Sequence, residues 1–245
     1  MFLTVRGKKI EAQQIGRATG PTLVFLHEGL GSVGLWRDFP DKAAEATGFG
    51  AFVYSRAGYG ASDPAPMPRP VRYMHDEAEL LPEILEAAGI ADPLLVGHSD
   101  GASIAIIHAG SGGKVRGLVL EAPHVFTEDM GLASIAEARK AYERGELRAR
   151  LAKHHQNVDA AFWGWNRPWL DPEFRNWNLE EFLPRIQAPI LVIQGEDDEY
   201  GTRKQVDAIQ RGAPSVQVLM LPHCGHSPHR DQPEATLRAI AAFAR

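Results

Sequence analysis

Leu94-Leu95-Val96-Gly97-His98-Ser99-Asp100-Gly101-Ala102 is an apolar run that ends abruptly in Gly-x-Ser-x-Gly, and alanine and isoleucines follow it. A short buried strand, a tight turn and an apolar helix form the context of a nucleophile elbow. There the serine backbone is strained and its side chain stands clear at the top of a sheet. Glycines flank it because a Cβ would collide with the neighbouring strand or helix. The pentapeptide alone also reads as a plain strand-to-helix turn whose serine caps the helix. The rest of the chain must separate the two readings.

Length and composition narrow the field. The 245 residues suit one large α/β domain, or one domain with a modest insertion, and 44% hydrophobic and 23% charged residues are ordinary for a globular protein. A core of that size needs neither disulfides nor metal. The formal net charge of −5, with no basic run, argues against a nucleic-acid partner. Cys224 is the only cysteine, which fits a reducing compartment. The charges after Met1-Phe2-Leu3 come in the wrong order for a signal peptide, and no apolar run approaches the ~20 residues of a membrane span. A cytoplasmic protein without a membrane partner is expected, with a homodimer left open.

Outward from the elbow, strands and helices alternate. Residues 2–14 read as a β-hairpin around Gly7-Lys8-Lys9. Thr22 to Leu26 is a buried strand running into His27-Glu28-Gly29-Leu30-Gly31-Ser32, with Ser32 expected to cap a helix. Ala51 to Tyr54 is a second buried strand. The four prolines between Asp63 and Pro70 mark an irregular loop, and a helix is expected from about Val71 to Ala88, closed by Gly89. Strands at Leu118–Leu120, Pro189–Ile193 and Val216–Leu221 and a helix from about Pro233 complete the series. Such alternation predicts a mostly parallel sheet covered on both faces.

The alternation breaks between His124 and Gln187. This stretch has no convincing strand, has helical spacing from Ser134 to Lys153, and carries four of the five tryptophans. It reads as a helical lid over residues 124–187, between core segments 1–123 and 188–245. Its aromatics either form the lid's own core or face a cavity beneath, and at least one tryptophan is expected to do the latter.

A serine hydroxyl needs a base within hydrogen-bond reach, and the base needs a third group to hold it. Two later strands end in suitable residues: Gly195-Glu196-Asp197-Asp198-Glu199-Tyr200, then Pro222-His223-Cys224-Gly225-His226-Ser227. Acid precedes histidine, the order such folds use. His223, Cys224, His226 and His229 could be imagined as a metal cluster, but no HExxH-like helix accompanies them, and no metal or cofactor is expected.

Taken together, His-x-x-x-Gly, Arg-x-Gly-x-Gly-x-Ser, Gly-x-Ser-x-Gly, Gly-x-x-Asp and Gly-His make the chain resemble the α/β-hydrolase superfamily over nearly its whole length. The resemblance implies an α/β-hydrolase fold with Ser99 as nucleophile, Asp198 as acid in preference to Asp197, and His226 as base. It also implies an oxyanion hole made by the amides of Asp100 and of the turn after the first core strand. That turn departs from the family, since Glu28 stands where glycine is usual; Gly29 is the preferred donor and Leu30 the alternative. Glu28 faces either solvent or the pocket. His27 and Arg56 are expected to support the site, and His98 to pack. Glu28, Leu30, Trp163 and Tyr200 are the expected pocket residues.

A serine nucleophile excludes the epoxide hydrolases and haloalkane dehalogenases of this fold, which use a carboxylate. The leading expectation is an esterase or thioesterase acting on a small molecule with an apolar or aromatic acyl group. The alternatives are C–C bond hydrolysis of a vinylogous diketone, cofactor-free haloperoxidase activity, and a non-catalytic binding protein of the same fold.

Overall fold

The computed structural model describes residues 1–16 and 20–245. β1 (Phe2–Val5) and β2 (Lys8–Ile15) form the expected antiparallel hairpin. Its two turn residues, Arg6 and Gly7, both have positive φ, as a tight hairpin turn matched to strand twist requires. β3 (Pro21–Leu26), β4 (Gly50–Tyr54), β5 (Asp92–His98), β6 (Gly117–Glu121), β7 (Ile190–Gly195) and β8 (Val216–Leu221) run parallel to one another. The eight strands make one sheet in the order β1-β2-β4-β3-β5-β6-β7-β8.

The continuous apolar runs are strands covered on both faces. Leu23, Phe25, Leu94, Val96, Leu191 and Ile193 point into one layer, where they meet α1 (Phe39–Thr47) and α9 (Pro233–Phe243). Val24, Leu26, Leu95, Ile190 and Val192 point into the other, against α2 (Tyr73–Ala87), α3 (Asp100–Gly110) and α7 (Arg203–Gly212). Burying each such side chain contributes about 1.5–3 kcal/mol. α2 continues through Pro82 and ends at Gly89, where the Ile90 N–H bonds to Leu85 O at 2.9 Å.

Topology places the site. From β3 the chain crosses to β4 on one side, then returns to β5 on the other side of β3. The connections at the carboxyl ends of β3 and β5 diverge and leave a crevice between them, where α/β sheets bind ligands. One local expectation fails there. Ser32 caps no helix: Val33–Trp36 is a single 3-10 turn, and the Val33 N–H is taken by Ser55 Oγ at 2.9 Å, an acceptor from the end of a neighbouring strand.

Between β6 and β7 lie α4 (Asp129–Glu143), α5 (Glu146–Leu151), α6 (Val158–Trp169) and two 3-10 segments, Pro172–Asn176 and Glu180–Arg185. Phe162 stacks on Tyr142 with centroids 3.7 Å apart, and Phe174 stacks on Trp177 at 5.1 Å, so part of this segment is its own aromatic core. Glu180–Arg185 instead rests against α3 and α7 of the core. α4 is tied to the loop after β7: Ser134 Oγ donates to Glu199 O at 2.6 Å, and Glu128, just before α4, accepts from the Thr202 amide and hydroxyl. The short α8 (Pro228–Asp231) follows the last strand's loop.

Candidate active site

The turn from β5 into α3 is as tight as its glycines predict. A Cβ on Gly97 would lie 2.6 Å from Ala102 N, and one on Gly101 would lie 2.9 Å from His27 O. Ser99 sits between them at φ 53°, ψ −114°, a conformation an L-residue adopts only under constraint. Its side chain makes no capping bond. The hydroxyl is engaged with His226 instead, which removes the simple-cap reading.

Ser99 Oγ is 2.9 Å from His226 Nε2, and His226 Nδ1 is 2.9 Å from both Asp198 oxygens. Asp198 also accepts from Gln194 Nε2 at 2.7 Å, the Tyr200 amide at 2.8 Å and the Gly201 amide at 3.3 Å. With its acceptors so occupied, Asp198 fixes the imidazole with Nδ1 protonated and Nε2 free to accept from serine. Burial opposes charge on both partners. Their mutual bond and attraction outweigh it, holding His226 above the usual imidazole value and Asp198 below the usual carboxylate value. Glu199 and Glu28 push His226 further upward.

His98 does more than pack. Its Nε2–H donates to the His226 carbonyl at 2.6 Å, so the residue before the serine also holds the loop that carries the histidine. His124, buried beside His226 with ring centroids 5.5 Å apart, is pushed down to about 4 by burial and by the neighbouring imidazole.

The turn after β3 is held from below. The Glu28 carbonyl accepts from His27 Nδ1 at 2.7 Å, Arg56 Nη2 at 3.0 Å and the Gly31 amide at 3.1 Å. Arg56, 2% exposed, also donates to His27 O at 2.7 Å, and its own amide donates to His27 Nε2 at 3.1 Å. In a planar trans peptide the N–H points opposite to the C=O. Three donors on the Glu28 oxygen therefore fix the direction of the Gly29 N–H. The amides of Gly29, Leu30 and Asp100 have no backbone acceptor among the described residues.

Asp100 has a second engagement. Its buried carboxylate accepts from Tyr73 Oη and, at 3.2 Å, from Trp169 Nε1, with Arg56 Nη2 3.9 Å away. Burial raises the Asp100 pKa, and the guanidinium and the two donors counter it.

A cavity of about 170 Å³ opens onto Ser99 and His226. Glu28, Leu30 and Tyr200 line it, and the Glu28 side chain turns toward the pocket. Trp163 does not line it. The wall is made by Trp165 and Trp169, while Trp163 lies on the outer face of α6 under Arg139 and Arg167, 5.5 and 5.2 Å from its ring centroid. Helical geometry explains the correction: Phe162, Trp165 and Trp169 are three and four apart and share a face, and Trp163 is rotated about 100° from Phe162. Beyond this, Gln194, His124, Trp169 and Glu199 are site residues that the sequence motifs do not mark. Gln194 had a signal as the polar residue near the end of an otherwise apolar strand, and Trp169 had one in its three-and-four spacing from Phe162 and Trp165. Among the described residues, no group of three or more His, Cys, Asp or Glu is arranged to hold a metal ion. His229 turns inward to Glu121 at 2.7 Å, and Cys224 is buried.

A model of the α/β hydrolase family matches residues 23–239. An sn-1-specific diacylglycerol lipase of Mus musculus, ABHD11, is 24% identical over 259 residues, covering 93% of this chain and 82% of that protein. A pimeloyl-[acyl-carrier protein] methyl ester esterase of Nitrosomonas europaea is 29% identical over 66 residues, and that match spans 27% of this chain and 26% of the esterase. The solved structure of MGS-M2, an α/β hydrolase enzyme from a Medee basin deep-sea metagenome library, superposes with a TM-score of 0.80 at 20% identity, covering 99% of this chain and 96% of that one. From the strand order, the elbow at the switch point and the match over residues 23–239, the chain belongs to the α/β hydrolase family.

Proposed function

We propose that this protein is a carboxylesterase-like serine hydrolase that cleaves an ester or thioester of a compact apolar or aromatic acyl group through an acyl-enzyme on Ser99. The observation that carries this reading is the hydrogen-bonded chain Ser99–His226–Asp198 at the floor of a cavity walled by two tryptophans. Ser99 Oγ attacks the carbonyl carbon while His226 Nε2 takes its proton. The negative oxygen that forms is held by the amides of Asp100, at the start of α3 where the helix dipole favours it, and of Gly29, whose direction the Glu28 carbonyl fixes. Protonated His226 gives its proton to the departing alkoxide or thiolate, and the acyl group stays on Ser99. Water then repeats the sequence and frees the acid.

The cavity, about 170 Å³, is small beside the ~300–1,000 Å³ of sites for drug-sized ligands, which favours a short acyl chain. Residues 124–187 act as a lid over core segments 1–123 and 188–245, contributing Trp165 and Trp169 from α6. Among the described residues no helix is long and apolar enough to cross a membrane; with a single buried cysteine, a cytoplasmic location fits.

The test is hydrolysis of p-nitrophenyl acetate and butyrate by the native chain and by Ser99→Ala. A fall of at least about 10³-fold supports the reading, since a triad acts as a unit. Equal rates overturn it, as would fluorophosphonate labelling that maps anywhere but Ser99.

A further inference from the structure

Glu28 occupies a position where charge has a consequence. Its side chain is 28% exposed and lines the cavity that holds Ser99. No donor among the described residues hydrogen-bonds to its carboxylate. The one ion-pair partner within reach among the described residues is His98 Nδ1, 3.8 Å from Oε2. His98 cannot neutralise it. Its Nε2–H is committed to the His226 carbonyl, so Nδ1 presents a lone pair, and that atom has no hydrogen-bond partner. Burial and the neighbouring histidines hold the ring far below the usual imidazole value, in its neutral form. A second carboxylate, Glu199, stands at the exposed rim of the same cavity. The described lining contains neither lysine nor arginine. Beside the apolar Leu30 and Ile135, the walls include the aromatic rings of Trp165, Trp169 and Tyr200, and aromatic ring faces attract cations.

We infer that the cavity selects esters that carry an ammonium group, with Glu28 as the residue that recognises the cation and Glu199 adding attraction at the mouth. This rests on the esterase reading above for the word ester, and on the cavity alone for the charge. A half-buried carboxylate without a partner gains from a cationic ligand and repels an anionic one. Quaternary ammonium groups suit the site because they pair with carboxylate and aromatic faces together and stay charged at every pH.

The experiment separates charge from catalysis. Two ester pairs differ only in charge: butyrylcholine against 3,3-dimethylbutyl butyrate for a cation on the alcohol side, and butyl 4-(trimethylammonio)butanoate against butyl 5,5-dimethylhexanoate for one on the acyl side. Binding of the intact esters to Ser99→Ala is read by tryptophan fluorescence, and kcat/KM is measured on the native chain by proton release. In at least one pair the cationic ester is expected to bind about tenfold tighter than its carbon isostere. Glu28→Gln in the Ser99→Ala background brings that ratio close to one, and Glu199→Gln reduces it less. The ratio compares two ligands on one protein, so any change in folding or in His226 basicity cancels. Equal or weaker binding of the cation in both pairs overturns the inference, as does a preference that survives Glu28→Gln. Cation-selective binding to Ser99→Ala without hydrolysis by the native chain would support the charge assignment and count against the esterase reading. Hydrolysis indifferent to charge would do the reverse.

Discussion

Gly29 is the place where one added methyl group distinguishes a closed cavity from an open one. A Cβ built there would sit 2.9 Å from Trp165 Cε2 and nearer still to Cδ1 and Nε1 of the same ring. Ordinary carbon contacts are about 3.5–4.0 Å, so in Gly29→Ala either the indole or the turn must shift by roughly 1 Å. Trp165 is 7% exposed and touches Phe162, with ring centroids 6.0 Å apart, so it has little room to retreat. Overpacking of this kind costs about 1–3 kcal/mol of stability. Displacing the Gly29 amide by ~1 Å from the oxyanion of the proposed reaction should lower kcat about 10²-fold. Urea unfolding followed by tryptophan fluorescence gives the first number, and steady-state hydrolysis of a p-nitrophenyl ester the second. Adding Trp165→Leu to Gly29→Ala should restore part of both, because the three nearest atoms to the added methyl all belong to the indole; a double-mutant cycle isolates the coupling. Wild-type kcat and stability in Gly29→Ala would refute the reasoning. It would mean that α6 does not rest on this turn in solution and that the second amide is not positioned by it.

Three further outcomes follow from the same geometry. In the proposed reaction His226 must be neutral to accept the serine proton, and its pKa is raised, so the acid limb of the kcat/KM profile should lie above the ordinary imidazole value of ~6.5. Glu28→Gln should move that limb to lower pH, and an unmoved limb would show that the carboxylate does not act on the base. His124 is held neutral to about 4, so below the unfolded value of ~6.5 only the unfolded chain takes up its proton, and stability is lost as pH falls toward 4. That loss is about 2 kcal/mol between pH 7 and pH 5, and His124→Gln should flatten this part of the curve of urea midpoint against pH. Finally, Trp163→Ala should leave KM for short esters unchanged, whereas Trp169→Phe, which strips a donor from Asp100, should lower both Tm and kcat/KM; the reverse pattern would put Trp163 in the cavity after all.

The elbow, the acid loop and the histidine loop were legible because each is a short motif at the end of an apolar strand. Strand ends at the switch point must converge once the sheet is built. The hairpin, the buried strands and the Gly89 terminus were legible for similar reasons, since backbone sterics and burial act locally. The cavity wall was not, because which tryptophan faces inward depends on how α6 docks, although the three-and-four spacing of Phe162, Trp165 and Trp169 held the answer in part. Ser32 misled because Val33–Trp36 closes only a single 3-10 turn, in which the Leu35 N–H bonds to Ser32 O and the serine hydroxyl is left without a partner among the described residues. Glu28 stayed open because the side-chain direction of a turn residue is set by its neighbours. A Cβ on Gly31 would crowd both His27 and Glu28, and it is this absent atom that lets the glutamate fold back toward His98.

The two tryptophan walls differ in how far they can change. Trp169 is pinned: its indole N–H closes a buried set in which Asp100 also serves Tyr73 and faces Arg56, and Asp100 is itself the residue that follows Ser99, the proposed nucleophile. Any residue at 169 that cannot donate leaves a buried carboxylate short of a partner beside Ser99. Trp165 is held by contact alone, against Phe162 and the bare Cα of Gly29. If the proposed acyl chemistry holds, broadening of acyl scope, by selection or by design, runs through position 165, where smaller side chains cost packing only, while position 169 stays confined to donors that reach Asp100.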